Sequence, residues 1–359
     1  MRSWHVLGGR QFGGADQFYV RLIQALNDWP GHEALAINRR SSAVAAALDG
    51  VCGQRHLPFA NKYDRYTTWR LRHWIRRERP DVVQTYMGRA TRLTRVPRGS
   101  RTVHVARLGG YYKIRGYYEH ADAWVGNTQG VCDYLVRQGL PAERVFKIGN
   151  FVPERDGAST ARETQHLRHR LGIPDDALVL FTLGRFIEVK GFDDLLEAFA
   201  RVPASLQGRP LFLVVAGHGP LGQPLHALAT RLGVQRRVLW PGWLQRPGPY
   251  FELADLMVCP SRHETLGNVI LEAWRYSKPV VATRTPGALE LIAAGETGLL
   301  CDVGDVDALA AGLQSALAAE PQERARLGRN GHAELEAHHS RQAVVKAYAE
   351  LYEALCHGR

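Results

Sequence analysis

The chain has 359 residues, 45% hydrophobic and 23% charged, with a formal net charge of +11. This length predicts two domains, and the composition is that of an ordinary soluble globular protein. No apolar run approaches the roughly 20 residues needed to cross a bilayer. Five scattered cysteines (Cys52, Cys132, Cys259, Cys301 and Cys356) with no CxxC pair argue against a disulfide framework and a zinc site, and predict a reducing cytoplasm.

In chain order, "WHVLGG" (4–9) reads as a first strand, its apolar stretch too short for a signal peptide. A Gly-rich turn, "LGGRQFGGAD", leads into "ADQFYVRLIQALND", where Phe18, Leu22, Ala25 and Leu26 share a helical face. Residues 61–110 carry thirteen lysines and arginines against three acids, so this one segment holds nearly all of the net charge. Within it, "YTTWRLRHWIRRERP" sets Trp69, Leu71, Trp74 and Ile75 among arginines, the pattern of a basic amphipathic helix. Such a helix suits an anionic lipid surface or a phosphorylated glycolipid, a nucleic acid, or simply a solvated face.

Strands are predicted at 80–86, 101–108, 121–128 and 145–150, with a helix at 130–139 closed by Gly139. The pattern pauses over the polar stretch 153–175. It resumes with strands at 177–186, 210–220, 237–243, 254–261, 278–285 and 297–302, separated by helical segments, and ends in a last helix. This alternation predicts two α/β units with parallel sheets covered by helices. The boundaries expected are 1–160, 161–335 and a C-terminal helix at 336–359. Doubly wound folds of this kind bind ligands at the carboxyl ends of their strands.

Three loops carry residue types suited to a diphosphate. In the first, Gly13 and Gly14 open a helix whose N-terminus attracts anions, although such turns also serve only to lead a strand into a helix. In the second, "GRFIEVKGFDDLLEAF" (184–199), Arg185 and Lys190 are fixed cations at a strand-to-helix turn; either could instead pair with a surface carboxylate. In the third, "HETLGNVILEAW" (263–274), Gly267, Asn268 and Val269 begin a helix. Glu264 precedes that helix and Glu272 lies within it. Eight residues at 100° each leave the two acids about 80° apart, on nearly the same side. A carboxylate matches a pair of vicinal hydroxyls, so one acid can hold a sugar and the other a ribose.

Together "GRFIEVKG" (184–191) and "ETLGNVILE" (264–272) resemble the paired signature of the retaining GT-B glycosyltransferases of family GT4, and the glycine pair and final helix fit the same pattern. The resemblance covers essentially the whole chain. It implies a GT-B architecture of two Rossmann-like doubly wound domains facing a cleft. The nucleotide-sugar donor would lie mainly on the C-terminal domain and the acceptor on the N-terminal one, with the last helix packing back on the latter. By the same resemblance Arg185 and Lys190 neutralise the leaving diphosphate, Glu264 faces the donor sugar and Glu272 binds the ribose. Base contacts come from backbone near Trp243 and Leu244. Neither a metal nor another cofactor is expected, and "DVGDVD" (302–307) reads as a turn into a helix rather than a metal motif.

The sequence departs from the family in one place. Members often carry a His at the end of an N-domain strand, whereas "TVHVARLGG" has His104 mid-strand and Arg107 near its end. Alternation sets the two on opposite faces and favours Arg107 as the cleft residue, with His104 either catalytic or a core histidine. His218 stands where an acid is common. The stretch "RLGGYYKIRGYYEHADAWVGNTQG" (107–130) resembles the N-domain of bacterial enzymes that build envelope polysaccharide or lipopolysaccharide.

The function expected is transfer of a hexose-type sugar from a nucleotide-sugar, UDP-linked before GDP-linked, to a glycan or glycolipid. The protein would be cytoplasmic, peripheral on the inner membrane face through residues 61–110. The alternatives are a GT-B epimerase, a sugar-phosphate synthase, and more remotely a nucleic-acid-binding protein, which would leave the two C-terminal motifs without a purpose.

Overall fold

A computed structural model of the chain describes residues 1–9, 13–155 and 161–358. The chain divides into two compact units, Met1–Phe151 with Ser340–Arg359, and Val152–His339.

The first unit is built on seven parallel strands: β1 (Arg2–Leu7), β2 (Glu33–Asn38), β3 (Gln54–His56), β4 (Val82–Tyr86), β5 (Val103–Leu108), β6 (Ala123–Gly126) and β7 (Val145–Lys147). Their order is β3-β2-β1-β4-β5-β6-β7. A parallel sheet with both faces covered needs near-continuous apolar strands, and β4, β5 and β6 are buried along their full lengths. On one face Val103 and Val105 pack with Phe18, Leu22 and Leu26 of the helix Gly14–Asn27. The helix Arg341–His357 joins the same core through Val344, Val345, Tyr348, Leu351, Tyr352 and Leu355. Each apolar side chain buried this way contributes about 1.5–3 kcal/mol. The opposite face is covered by the helix Arg65–Glu78, which turns Leu71 and Ile75 onto Trp4, Val6 and Val83.

The second unit has β8 (Leu178–Arg185), β9 (Ser205–Leu206), β10 (Arg209–His218), β11 (Val238–Gly242), β12 (Leu256–Cys259), β13 (Val280–Thr283) and β14 (Leu299–Cys301). Six strands run parallel in the order β11-β10-β8-β12-β13-β14, and the short β9 pairs antiparallel with β10. The order reverses between β8 and β12, which opens a crevice at their carboxyl ends. The polar stretch 153–175 contains a helix, Ala161–Arg170, whose Leu167 packs with Ile173, Ala177 and Phe251 in this unit's core.

Buried Arg275 ties down both ends of the second unit. Its Nη1 bonds Glu336, just before the chain leaves, and lies 3.4 Å from Glu154, just after it enters. Arg155 adds a 2.7 Å hydrogen bond to the Arg275 carbonyl.

Candidate active site

At the carboxyl end of β8 the chain passes Gly184 and Arg185, makes one tight turn at Glu188–Lys190, and enters the helix Phe192–Arg201 through Gly191. Gly191 adopts φ +61°, and a Cβ there would lie 2.2 Å from the Pro260 carbonyl oxygen. Only glycine lets the turn after β8 press against the turn after β12. Arg262 fastens the two together, bonding Asp193 at 2.8 Å, Asp194 at 2.5 Å and the Glu188 carbonyl at 3.1 Å.

This contact brings Lys190 against Glu264, and the two form a half-buried ion pair. Ser261 Oγ donates to the same carboxylate at 3.5 Å. Burial alone would depress the Lys190 ammonium; the charge of Glu264, with smaller pulls from Cys259 and Glu272, more than reverses this and holds it above its ordinary value. Lys190 is therefore a fixed cation paired with Glu264 and near enough to Glu272 to feel its charge.

The helix Asn268–Arg275 begins at Gly267, which takes φ +83° as its N-cap. First-turn amides of a helix have no intrahelical acceptor and carry the positive end of the dipole. Val269, in that turn, lines a crevice of only about 10 Å³ with Lys190, Cys259 and Ser261. Glu272 sits half-buried one turn along. Arg185 is exposed at the tip of β8, paired in register with His218 of β10, and its guanidinium makes no hydrogen bond or ion pair with a described residue.

A larger recess, about 450 Å³, opens beside His218, lined by Phe186, Gln223, His226 and Trp240 among others. His226 stacks on Trp240 at 4.3 Å, and Phe186 meets Trp240 edge-on at 5.9 Å. Trp243 projects into solvent, 66% exposed, with Leu244 half-buried beside it.

In the first unit the glycine loop differs from expectation. The Gly13 N–H is not open to a ligand, because Asp16 Oδ2 accepts it at 3.0 Å in a capping box, with Gly14 as first helical residue. Burial raises the Asp16 carboxyl above its usual range despite that bond. Residues 10–12 of the same loop lie outside the described residues. Arg107 and His104 occupy opposite faces of β5 and both are buried. Arg107 Nε donates to Tyr348 Oη at 3.0 Å, its Nη2 to Asn150 Oδ1, and its guanidinium covers the Phe18 ring at 3.9 Å. His104 bonds Thr85 Oγ1 at 3.1 Å beside His120; burial and then His120 keep its imidazole well below the ordinary value.

Residues 163–334 match the glycosyl transferases group 1 family and residues 12–155 match glycosyltransferase family 4. The lipopolysaccharide core biosynthesis glycosyltransferase LpsE of Rhizobium meliloti (strain 1021) is 36% identical over 98% of both chains. The chain belongs to the group 1 glycosyltransferases. LpsD of the same organism, also a lipopolysaccharide core biosynthesis glycosyltransferase, is 30% identical over 98% of both chains. The GT-B fold is shared with Anabaena HepE, solved with UDP-glucose (TM-score 0.81, 20% identity, 99% of this chain and 100% of that one). It is shared too with WaaG, a glycosyltransferase involved in lipopolysaccharide biosynthesis (TM-score 0.68, 19% identity, 97% and 98%).

The glycosyltransferase has site features that sequence reading passed over. Ser261 and Arg262 shape the Glu264 loop, and His226 and Trp240 line the recess. Trp240, three residues before Trp243 in "RVLWPGW", is the local signal for that recess.

Proposed function

We propose that this glycosyltransferase moves a hexose-type sugar, with retention at the anomeric carbon, from a nucleotide-sugar to a glycan or glycolipid acceptor in lipopolysaccharide core assembly. The pathway is supported by the names of LpsE and LpsD, which match over almost their whole lengths. A UDP-sugar is favoured because HepE was solved with UDP and with UDP-glucose.

The observation that carries the chemistry is Lys190 paired with Glu264 and feeling the charge of Glu272, where the ends of β8 and β12 meet the start of the helix Asn268–Arg275. When the bond from anomeric carbon to diphosphate breaks, both electrons leave on the diphosphate. Lys190, Arg185 and the helix end meet that charge. A diphosphate drawing Lys190 to itself frees Glu264 to accept from sugar hydroxyls, while Glu272 takes the ribose pair. The recess at Trp240 and His226 offers aromatic faces to a base; Trp243 and Leu244 follow its lining residue Gly242 in the chain. Two cations and a helix end do the work a divalent metal does elsewhere, so activity should survive EDTA; full loss on chelation, restored by Mg²⁺, would refute the metal-free reading.

We place the enzyme at the inner membrane face as a peripheral protein. No helix among the described residues is long and apolar enough to cross a membrane, and the basic helix Arg65–Glu78 presents exposed arginines. A thermal-shift series with UDP, GDP, ADP and CMP tests the donor: the true nucleotide at 100 times its Kd stabilises by about 2.7 kcal/mol. Equal response to all four would sink the UDP assignment.

A further inference from the structure

We infer that the carboxyl edge of the first unit's sheet, centred on Arg107 and Asn127, binds an anionic oxygen group, a phosphate ester or a carboxylate, carried by the acceptor. This rests on the reading of the first unit as the acceptor side.

A buried charge needs a partner or a ligand. Arg107 is 3% exposed, and among the described residues no carboxylate lies within ion-pair distance. The groups near enough to feel its charge are the hydroxyls of Tyr86, Tyr112, Tyr348 and Tyr352. Two of its nitrogens are occupied, by Tyr348 and Asn150, which fix the plane of the guanidinium. The third, Nη1, bonds no described residue. It points to Gly109: a side-chain carbon placed there would sit 3.8 Å from Nη1 and 3.6 Å from Asn127 Nδ2. Two donors from adjacent strands thus converge on a position kept open by a glycine.

Asn127 supplies the second observation. It is 5% exposed, and its Oδ1 is buried with no hydrogen-bond partner. That oxygen accepts, so it calls for a hydroxyl beside the anionic group rather than for the anion itself, which lies toward the donor Nδ2. Asn127 sits just ahead of Thr128, which caps the helix Gln129–Arg137 by accepting the Val131 N–H at 3.2 Å. The positive end of that helix therefore adds to the field of Arg107. Planar guanidinium, amide and helix end together favour a bidentate anion.

The test is calorimetric titration of the full chain carrying R185A and K190A, which removes the two cations assigned to the diphosphate. Probes are inorganic phosphate, glucose 6-phosphate, glucuronate and glucose. At least one anion should bind saturably and glucose should not. Arg107→Ala and Asn127→Asp should each weaken that binding roughly tenfold or more, the scale of a lost charge-assisted hydrogen bond. Arg107→Lys should keep part of it. Preference for glucose 6-phosphate or glucuronate tells phosphate ester from carboxylate. Thermal melts check folding, and if Arg107→Ala unfolds, Asn127→Asp decides. Absence of saturable binding by all three anions, or binding unmoved by Asn127→Asp, overturns the inference. UDP titration of the unmodified protein reports separately on the nucleotide reading, whose failure would leave the anion result standing.

Discussion

Lys190 and Glu264 are 74 residues apart in sequence and meet as an ion pair because Gly191 lets two strand-end turns touch. The pair is half-buried and Lys190 feels the charge of Glu272, so neither partner is a surface ornament. Lys190→Ala should cut turnover about 10²–10³-fold, the usual scale for loss of a group that meets transition-state charge. Glu264→Ala should chiefly slow turnover, whereas Glu272→Ala should chiefly weaken nucleotide binding. A diphosphate-release assay beside UDP titration separates these outcomes, and unchanged turnover in Glu264→Ala would contradict the assignment.

Gly191→Ala should damage the site without removing a functional group. Left-handed backbone costs a residue with a Cβ about 1–2 kcal/mol, and here the new carbon also meets a carbonyl oxygen. The turn must shift, taking Lys190 with it. Thermal melting should drop and UDP affinity fall together. Retention of wild-type affinity would show that the turn tolerates displacement.

The first unit should be acid-sensitive well above the carboxylate range. Burial, then the charge of His32, brings the His5 imidazole from 6.5 down to about 3, and His104 is lowered in the same direction. A histidine held neutral when folded takes its proton more readily when unfolded. Its stabilising contribution is complete above pH 6.5 and is lost as pH falls from 6.5 towards the folded value. For His5 the slope reaches about 1.4 kcal/mol per pH unit. Melting temperature measured from pH 7 to pH 4.5 should fall accordingly, and His5→Gln should flatten the curve.

On the helix Arg65–Glu78 the outward aromatics are Tyr66 and Trp69, the latter 57% exposed, with Tyr63 exposed in the turn just before the helix. Trp74, expected beside Trp69 at a lipid surface, instead packs inward with Arg55 at 5.1 Å and Arg70 at 4.8 Å over its ring. Each basic residue near an anionic surface contributes about 1 kcal/mol, and the effect decays within a Debye length. Binding to anionic vesicles should weaken steeply with salt, and reversing Arg72, Arg76 and Arg77 to Glu should abolish it while sparing donor hydrolysis. Equal vesicle binding by the triple variant would rule the surface out.

The second unit was the more legible from sequence, and the reason is local. Arg185, Lys190, Glu264 and Glu272 lie in short segments whose glycines and apolar runs announce strand ends and helix starts. By contrast β2 and β3 went unread. "EALAIN" is alanine-rich and lacks a bounded β-branched run, and "QRH" is a three-residue edge strand with no apolar residue. Alternation along β5 correctly separated Arg107 from His104. What holds Arg107, however, is Tyr348, 241 residues away, and no local pattern records such a partner. The same applies to His226 and Trp240, which come from a helix and a strand and become a stacked pair only after folding.

Arg275 grips the segment entering the second unit and the segment leaving it from a single helix. Residues 152–339 thus form a closed loop of chain whose ends are fastened together, interrupting a first unit completed only by its final helix. Domains with joined ends tolerate transplantation and circular permutation. New termini opened in an exposed turn of the second unit, with the old ends linked at the Arg275 clasp, should leave a foldable module. During synthesis the order is reversed: the second unit can close as soon as Glu336 has emerged, while the unit that began first waits for Tyr348 and Tyr352 to be made.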